Sequence, residues 1–165
     1  MQTFILDTDL AQSAAFLDTP RCFKQAVECR QIYLAINNAS KGWRKHPAVL
    51  QWYGWADHLL SYGIECLLDS FYDAPKLEAW YNQQKFIRYP DFPPRFHKLI
   101  PFHQGLMVRK DYHYYHDIFP SAISTGWARY LDTEDKVFHI KFGKKIYDPT
   151  NWTRTLLHLT AVRIW

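Results

Sequence analysis

The 165-residue chain has few glycines, no paired cysteines and no long hydrophobic run, and each shortage removes a class of protein. Without 18 or more consecutive apolar residues there is no membrane-spanning helix to expect, so no membrane partner is expected. Cys22, Cys29 and Cys66 form no Cys-x-x-Cys pair, and three cysteines cannot all be bridged within one chain; a disulfide scaffold and a zinc ribbon are both disfavoured. The 6 glycines fall in no Gly-x-Gly-x-x-Gly, Walker or Gly-x-Ser-x-Gly pattern, so the familiar nucleotide-binding and hydrolase signatures are missing. The opening Met1-Gln-Thr-Phe-Ile-Leu-Asp lacks a cationic leader backed by an apolar stretch. A soluble protein of the reducing cytoplasm is the expectation.

Aromatic residues are in surplus: 18% of the chain, with 7 Trp, 11 Tyr and 11 Phe. That is more flat rings than a small core needs, and some are expected at the surface as stacking platforms. Apolar residues at 48% and charged ones at 22% are ordinary globular values, and the length suits one domain over residues 1–165. The net charge of +4 is unevenly spread. Residues 1–82 hold 7 Lys/Arg against 9 Asp/Glu, whereas residues 83–165 hold 13 against 7. Between residues 83 and 110, Lys85, Arg88, Arg95, Lys98, Arg109 and Lys110 face only Asp91 and interleave with Phe86, Tyr89, Phe92, Phe96 and Phe102. Cations beside exposed rings suit a phosphate backbone and unstacked bases. The alternative is a solvated crossover loop whose rings seal the core.

The N-terminal half reads as helical. Leu10 to Leu17 forms a short helix capped by Thr8 or Asp9. Thr19-Pro20 then reads as an N-cap followed by proline at the first helical position, and Cys22, Ala26, Cys29, Tyr33 and Ile36 keep the 3.6-residue period up to Asn37-Asn38. A loop over residues 38–46 precedes a long apolar-periodic segment from Pro47 to about Tyr72, interrupted by Gly54 and Gly63. Pro75 opens a helix to about Phe86. Pro90, Pro93, Pro94 and Pro101 make residues 88–101 an extended, irregular loop. A short helix is expected over Leu106 to Tyr115. From Val137 to Tyr147 the alternation fits a small β-hairpin, with a helix as the other reading. The class is mainly α: a single-domain helical bundle with a long Pro-rich loop.

Arg21, Lys24, Gln25 and Glu28 share one helix face opposite much of the apolar stripe, which is either a functional polar face or a solvated surface. Asp18, just before that helix, is placed to accept hydrogen bonds from its free amides. His113 and His116 at i, i+3 have no further ligands at standard spacing, and no metal or other cofactor is expected. Trp43, flanked by Gly42 and Arg44, is a stacking candidate, or else it staples the long helix to the core together with His46-Pro47.

Several ordered blocks carry a family resemblance. Met1-Gln-Thr-Phe4, Leu17-Asp18 with Arg21, Lys24-Gln25, Val27 and Glu28, then Gly42-Trp43-Arg44 and His46-Pro47 resemble the pyrimidine-dimer DNA glycosylases of bacteria and phages. His103-Gln104-Gly105-Leu106-Met107-Val108-Arg109-Lys110-Asp111, with Tyr115 and Phe119-Pro120 after it, resembles a later block of that family. The resemblance spans residues 1 to about 120 and leaves 121–165 as an unmatched extension. It implies a small helical enzyme, remotely related to phage endonuclease V, that needs no metal. There an N-terminal α-amine attacks the sugar C1′ to form an imine, and a carboxylate assists base loss and strand cleavage. Carried onto this chain, it implies Met1 as nucleophile and Asp18 as the catalytic carboxylate. It also implies nucleic-acid contacts from Arg21, Lys24, Gln25, Trp43, Arg44, His46, His103, Arg109 and Lys110, with Glu28 and Tyr115 in support. An α-amine with a pKa near ~8 is neutral, and so nucleophilic, for an appreciable fraction near neutral pH. The partner implied is duplex DNA bearing a damaged or modified pyrimidine. A non-catalytic nucleic-acid-binding module, or an enzyme on another modified nucleobase or nucleoside, are the rival readings.

Overall fold

The computed structural model describes residues 2–40, 42–123, 126–141 and 143–147. Among them the chain runs α1 (Leu10–Ala15), α2 (Thr19–Ile36), α3 (Pro47–Leu50), α4 (Ala56–Asp69), α5 (Pro75–Asn82), a 3-10 helix (Pro94–Leu99), α6 (Ile100–Lys110), α7 (Tyr112–Tyr115), then β1 (Tyr130–Leu131), β2 (Val137–Lys141) and β3 (Lys144–Tyr147). The mainly helical class expected from the periodicity is what forms. No helix among the described residues is long and apolar enough to cross a membrane.

Caps decide where the helices begin. Asp9 starts α1 by accepting from the Gln12 amide at 2.6 Å. Asp18, not Thr19, caps α2: its carboxylate accepts from the Arg21 amide at 3.0 Å, and Thr19 and Pro20 take the first two helical positions, where a missing N–H costs nothing. The long helix expected from Pro47 to Tyr72 is broken in two. Gly54, at φ +82°, turns the chain between α3 and α4, and the break buries Trp52, which stacks on Phe96 at 4.3 Å.

Helix α4 packs against α2 and α1 and is the centre of the bundle. Gly63 is the point of closest approach. A Cβ there would fall 2.1 Å from the Tyr81 hydroxyl, which reaches past α4 to donate to the Ala26 carbonyl at 2.6 Å and so ties α5 to α2.

The Pro-rich stretch is irregular only in its first half. There the Leu10 amide donates to Pro90 O and the Phe92 amide to Thr8 O, both at 2.8 Å. Beyond Pro93 the chain is helical, because Pro94 and Pro101 stand in the first turns of helices. Helix α6 therefore starts six residues before the expected Leu106, and Asp111 separates it from α7. Phe92 and Phe96 are buried, so in this stretch the rings close the core as the second of the two sequence readings required.

The hairpin reading of the C-terminal alternation is borne out. β1, β2 and β3 form one antiparallel sheet in that order, with Tyr130 opposite Phe138 and Lys141 opposite Lys144.

Candidate functional site

Residues 2–6 run as an extended segment whose residues Thr3 to Leu6 are buried, yet it belongs to no sheet. A buried backbone must still satisfy its polar groups, and here side chains from four helices do so. Glu28 of α2 accepts the Gln2 amide at 2.9 Å. Gln25, one turn earlier, accepts the Phe4 amide at 2.7 Å and donates to the Gln2 carbonyl at 3.1 Å, as a neighbouring β-strand would. Tyr62 of α4 donates to the Phe4 carbonyl at 2.6 Å, Ser13 of α1 accepts the Leu6 amide at 2.9 Å, and Gln104 of α6 donates to the Leu6 carbonyl at 2.8 Å. Trp52 Nε1 donates to the Thr3 hydroxyl at 2.9 Å. Residues 2–6 are thus held in a fixed place by their neighbours.

His103 completes this cradle. It is wholly buried and its Nδ1 accepts the Ile5 amide at 3.0 Å, so the proton of the neutral ring sits on Nε2, which faces the Arg129 carbonyl at 3.3 Å. Burial pulls its pKa down to about 4. Gln25 and His103 were expected to meet nucleic acid, but the structure closes both side chains off from solvent, Gln25 being 1% exposed.

Around residue 2 the other groups converge. Glu28 is itself only 9% exposed, and Lys24 lies one turn away with Nζ 3.9 Å from Glu28 Oε1. Tyr130 of β1 is pushed up in pKa, first by burial and then by the charge of Glu28, which places its phenol in that carboxylate's field. Its ring meets the His46 ring edge to face at 5.9 Å, and His46 in turn meets Trp43 at 5.1 Å. Nδ1 of His46 caps α3 by accepting the Ala48 amide at 3.1 Å, and burial lowers its pKa, so it too is neutral near neutral pH. Trp43 is 60% exposed and has φ +65°, the left-handed region that an indole-bearing residue enters at a cost. Arg44 holds that loop shut by donating to Ser40 O at 3.0 Å and Asn38 O at 3.2 Å.

Asp18 lies elsewhere. Ten residues before Glu28 on the same helix, it is roughly 15 Å away along the axis. Its carboxylate accepts from the Arg21 guanidinium and, at 2.7 Å, from the Tyr115 hydroxyl; that hydroxyl accepts the Asp18 amide at 3.1 Å. Burial alone would raise the Asp18 pKa, but the hydrogen bonds from Tyr115 and Arg21 outweigh it and hold the carboxyl below its usual value. Arg21 also lies 3.7 Å from Asp111 and over the Tyr115 ring. The structure thus gathers Asp18, Arg21 and Tyr115 into one cluster, and Gln25, Glu28, His46 and His103 with Trp43 into another. Lys110 is exposed beside Phe4, near the second cluster, and Arg109 packs its guanidinium over Gly126. Met1 lies outside the described residues. No group of three or more His, Cys, Asp or Glu able to hold a metal occurs among the described residues.

Sequence reasoning passed over Tyr62, Trp52, Ser13 and Tyr130. Tyr62, Trp52 and Tyr130 act on partners far along the chain, and Ser13, seven residues from Leu6, belongs to no local motif either.

What the fold and site define is a small helical protein in which residues 2–6, buried from Thr3 on, are pinned beside a carboxylate. The family described as pyrimidine dimer DNA glycosylase matches residues 1–69, which contain the extended segment, Glu28, the Trp43 loop and α4. This match supports the resemblance for the blocks from Met1 to Pro47, and the later block from His103 to Pro120 lies outside it. No curated protein and no solved structure matches the chain.

Proposed function

We propose that the protein is a DNA glycosylase with AP-lyase activity on damaged or modified pyrimidines, with the main-chain amine of residue 1 as nucleophile and Glu28 as the carboxylate that assists it. The observation that carries this reading is the 2.9 Å hydrogen bond from the Gln2 amide to Glu28, made by a segment that side chains fix along its length. The α-carbon that bears the amine of residue 1 is one peptide unit, about 3.8 Å, from the α-carbon of Gln2, whose amide Glu28 accepts. The family match supports the substrate class. The catalytic role carried over to Asp18 passes to Glu28, since a carboxylate roughly 15 Å along the helix does not reach the same sugar carbon. Gln25 and His103 then act as positioning residues for the nucleophile.

The chemistry follows from this placement. The amine lone pair forms a bond to C1′ as the bond from C1′ to the base breaks, and the base leaves with that electron pair and a proton. Opening of the sugar ring gives the C1′ imine, which acidifies the C2′ protons. Loss of one of them expels the 3′ phosphate by β-elimination. A carboxylate beside C1′ stabilises the cationic character that develops there and is placed to take the C2′ proton. The buried Glu28, hydrogen-bonded by an amide, suits that task.

Borohydride trapping on duplexes bearing a thymine dimer, an abasic site or a modified pyrimidine tests the proposal. The adduct is expected on the N-terminal peptide. Glu28→Gln keeps an oxygen for the Gln2 amide, so it should fold, while turnover falls by ~100-fold or more. Asp18→Asn keeps its cap but loses the ion pair with Arg21 and the acceptor for Tyr115, so it costs stability, about 1 to 3 kcal/mol, and retains most turnover. An adduct on an internal lysine, or a Glu28→Gln variant as active as the parent, overturns the assignment.

A further inference from the structure

The small sheet lies outside the matched residues, and β1 is one of its edge strands. An edge strand turns the N–H and C=O groups of alternate residues outward, where no ladder partner meets them. Here two buried side chains take the partner's place. The Leu131 amide donates to Gln51 Oε1 at 3.3 Å, and the Arg129 carbonyl, just before β1, faces His103 Nε2 at 3.3 Å. The strand is fixed on its other side as well: Tyr130 stands opposite Phe138 and Leu131 opposite Val137, and Arg95 donates to Asp132 O in the following turn at 2.9 Å.

Both side chains also hold the extended segment. His103 Nδ1 accepts the Ile5 amide at 3.0 Å, and Gln51 Nε2 donates to the Thr3 hydroxyl at 3.3 Å. Residues 3 and 5 are thereby tied to residues 131 and 129, so the segment and β1 run antiparallel with a layer of side chains between them. A glutamine suits the bridge at Thr3, because its planar amide offers an acceptor to the strand and a donor to the segment at once. Gln51, Thr3 and Leu131 are all buried, so no water replaces these bonds if the bridge is removed. The Thr3 hydroxyl accepts a second proton from Trp52, the next residue along the turn that carries Gln51.

We propose that Gln51 is a positioning residue for the nucleophile: by bridging Thr3 to β1 it fixes the placement of residues 2–6, and through them that of the amine borne by residue 1. This rests on the reading that residue 1 supplies the attacking amine. Helix α2 grips the segment through Gln25 and Glu28, whereas β1 grips it through Gln51 and His103. Two lines of attachment fix its tilt, which one line leaves free. An attacking atom must stand about 3 to 3.5 Å from the carbon it attacks, and a misplacement of about 1 Å can cost about 100-fold in rate. Gln51 is buried away from any duplex, so its effect falls on the rate of attack and not on DNA affinity. The sheet beyond the matched residues thereby takes part in the reaction.

Gln51→Met in the full chain keeps the volume and removes both hydrogen bonds. In native-state hydrogen exchange the Phe4 and Ile5 amides should then exchange about 10-fold faster or more, while the Leu60 and Tyr62 amides in the middle of α4 keep their protection. In single-turnover borohydride trapping on an abasic-site duplex at saturating protein, adduct formation should slow by about 10-fold or more, with affinity for an undamaged duplex unchanged. Thr3→Val removes the hydroxyl at the other end of the bridge, so the double variant should be no slower than Thr3→Val alone. Ser70→Ala gives up buried hydrogen bonds at the far end of α4; it should lower the melting temperature and leave the trapping rate as it was. Unchanged exchange at Phe4 and Ile5, a parental trapping rate in Gln51→Met, or rate losses that multiply in the double variant overturns the assignment. Failure of the glycosylase reading shows separately, as absence of any trapped adduct in the parent protein, and the exchange measurement still decides whether Gln51 holds the segment.

Discussion

His103 carries its role through being uncharged. Its Nδ1 accepts the Ile5 amide only while that nitrogen is unprotonated, and its burial favours this form, with the pKa drawn down to about 4. In an unfolded chain the same imidazole titrates near 6.5. Between those values the unfolded state binds a proton that the native state does not, so stability falls as pH drops from about 6.5 to about 4, by roughly 3 kcal/mol in all. Denaturant midpoints measured across that range should show the slope, and His103→Gln should flatten much of it, leaving smaller contributions from His46 and His58, which burial also holds low. A variant with the parent's full pH dependence would place the titrating group elsewhere. The same scale explains Trp43. Its left-handed backbone is held by the Arg44 hydrogen bonds, which keep the indole exposed.

At the scale of elements, the packing of α4 against α5 rests on one missing methyl. Helix propensity alone says that Gly63→Ala should stabilise α4 by about 1 kcal/mol. Packing says the reverse, because the new Cβ would lie 2.1 Å from the Tyr81 hydroxyl and 3.0 Å from Cys29 Cβ, in a core with no slack. We expect packing to win and the variant to lose about 1 to 3 kcal/mol in chemical denaturation. A more stable Gly63→Ala protein would show that Tyr81 can leave its bond to Ala26 at little cost. Element boundaries obeyed local chemistry wherever a cap or proline stood at the boundary, as at Asp9, Asp18 and Pro75. They departed from it at Gly54, where burial of Trp52 took precedence over continuing the helix.

At the scale of the whole molecule the charge asymmetry divides into spent and available cations. Arg21 is held by Asp18 and Asp111, and Arg88 by Glu65, whereas Lys110 is exposed beside Phe4, and Lys24 is exposed with a single long ion pair to Glu28 at 3.9 Å. Replacing Lys24 or Lys110 by Ala should lower the salt slope of duplex binding by about 0.9 each, with damaged and undamaged duplexes affected alike, because a phosphate contact carries no base information. Arg21→Ala should instead lower the melting temperature and move the slope little. Equal slopes for all three would mean that this face does not meet the backbone.

Much of the helical architecture, the position of Asp18 at a helix start and the C-terminal hairpin were legible in the residues themselves, because caps, prolines and periodicity act over one or two turns. The meaning of the polar face on α2 was not. Periodicity put Gln25 and Glu28 opposite the apolar stripe, where solvent is the default partner, and only the folded chain showed that the face is covered by residues 2–6. The bonds that fix residues 2–6 on α2 and on His103 join residues 21 to 98 apart in sequence, from the Phe4–Gln25 pair to the Ile5–His103 pair, and such bonds leave no local signature. For the same reason tertiary structure alone distinguishes the surroundings of two carboxylates on one helix: Asp18 and Glu28 are equally visible as residues, and what separates them is that the Gln2 amide returns to meet Glu28.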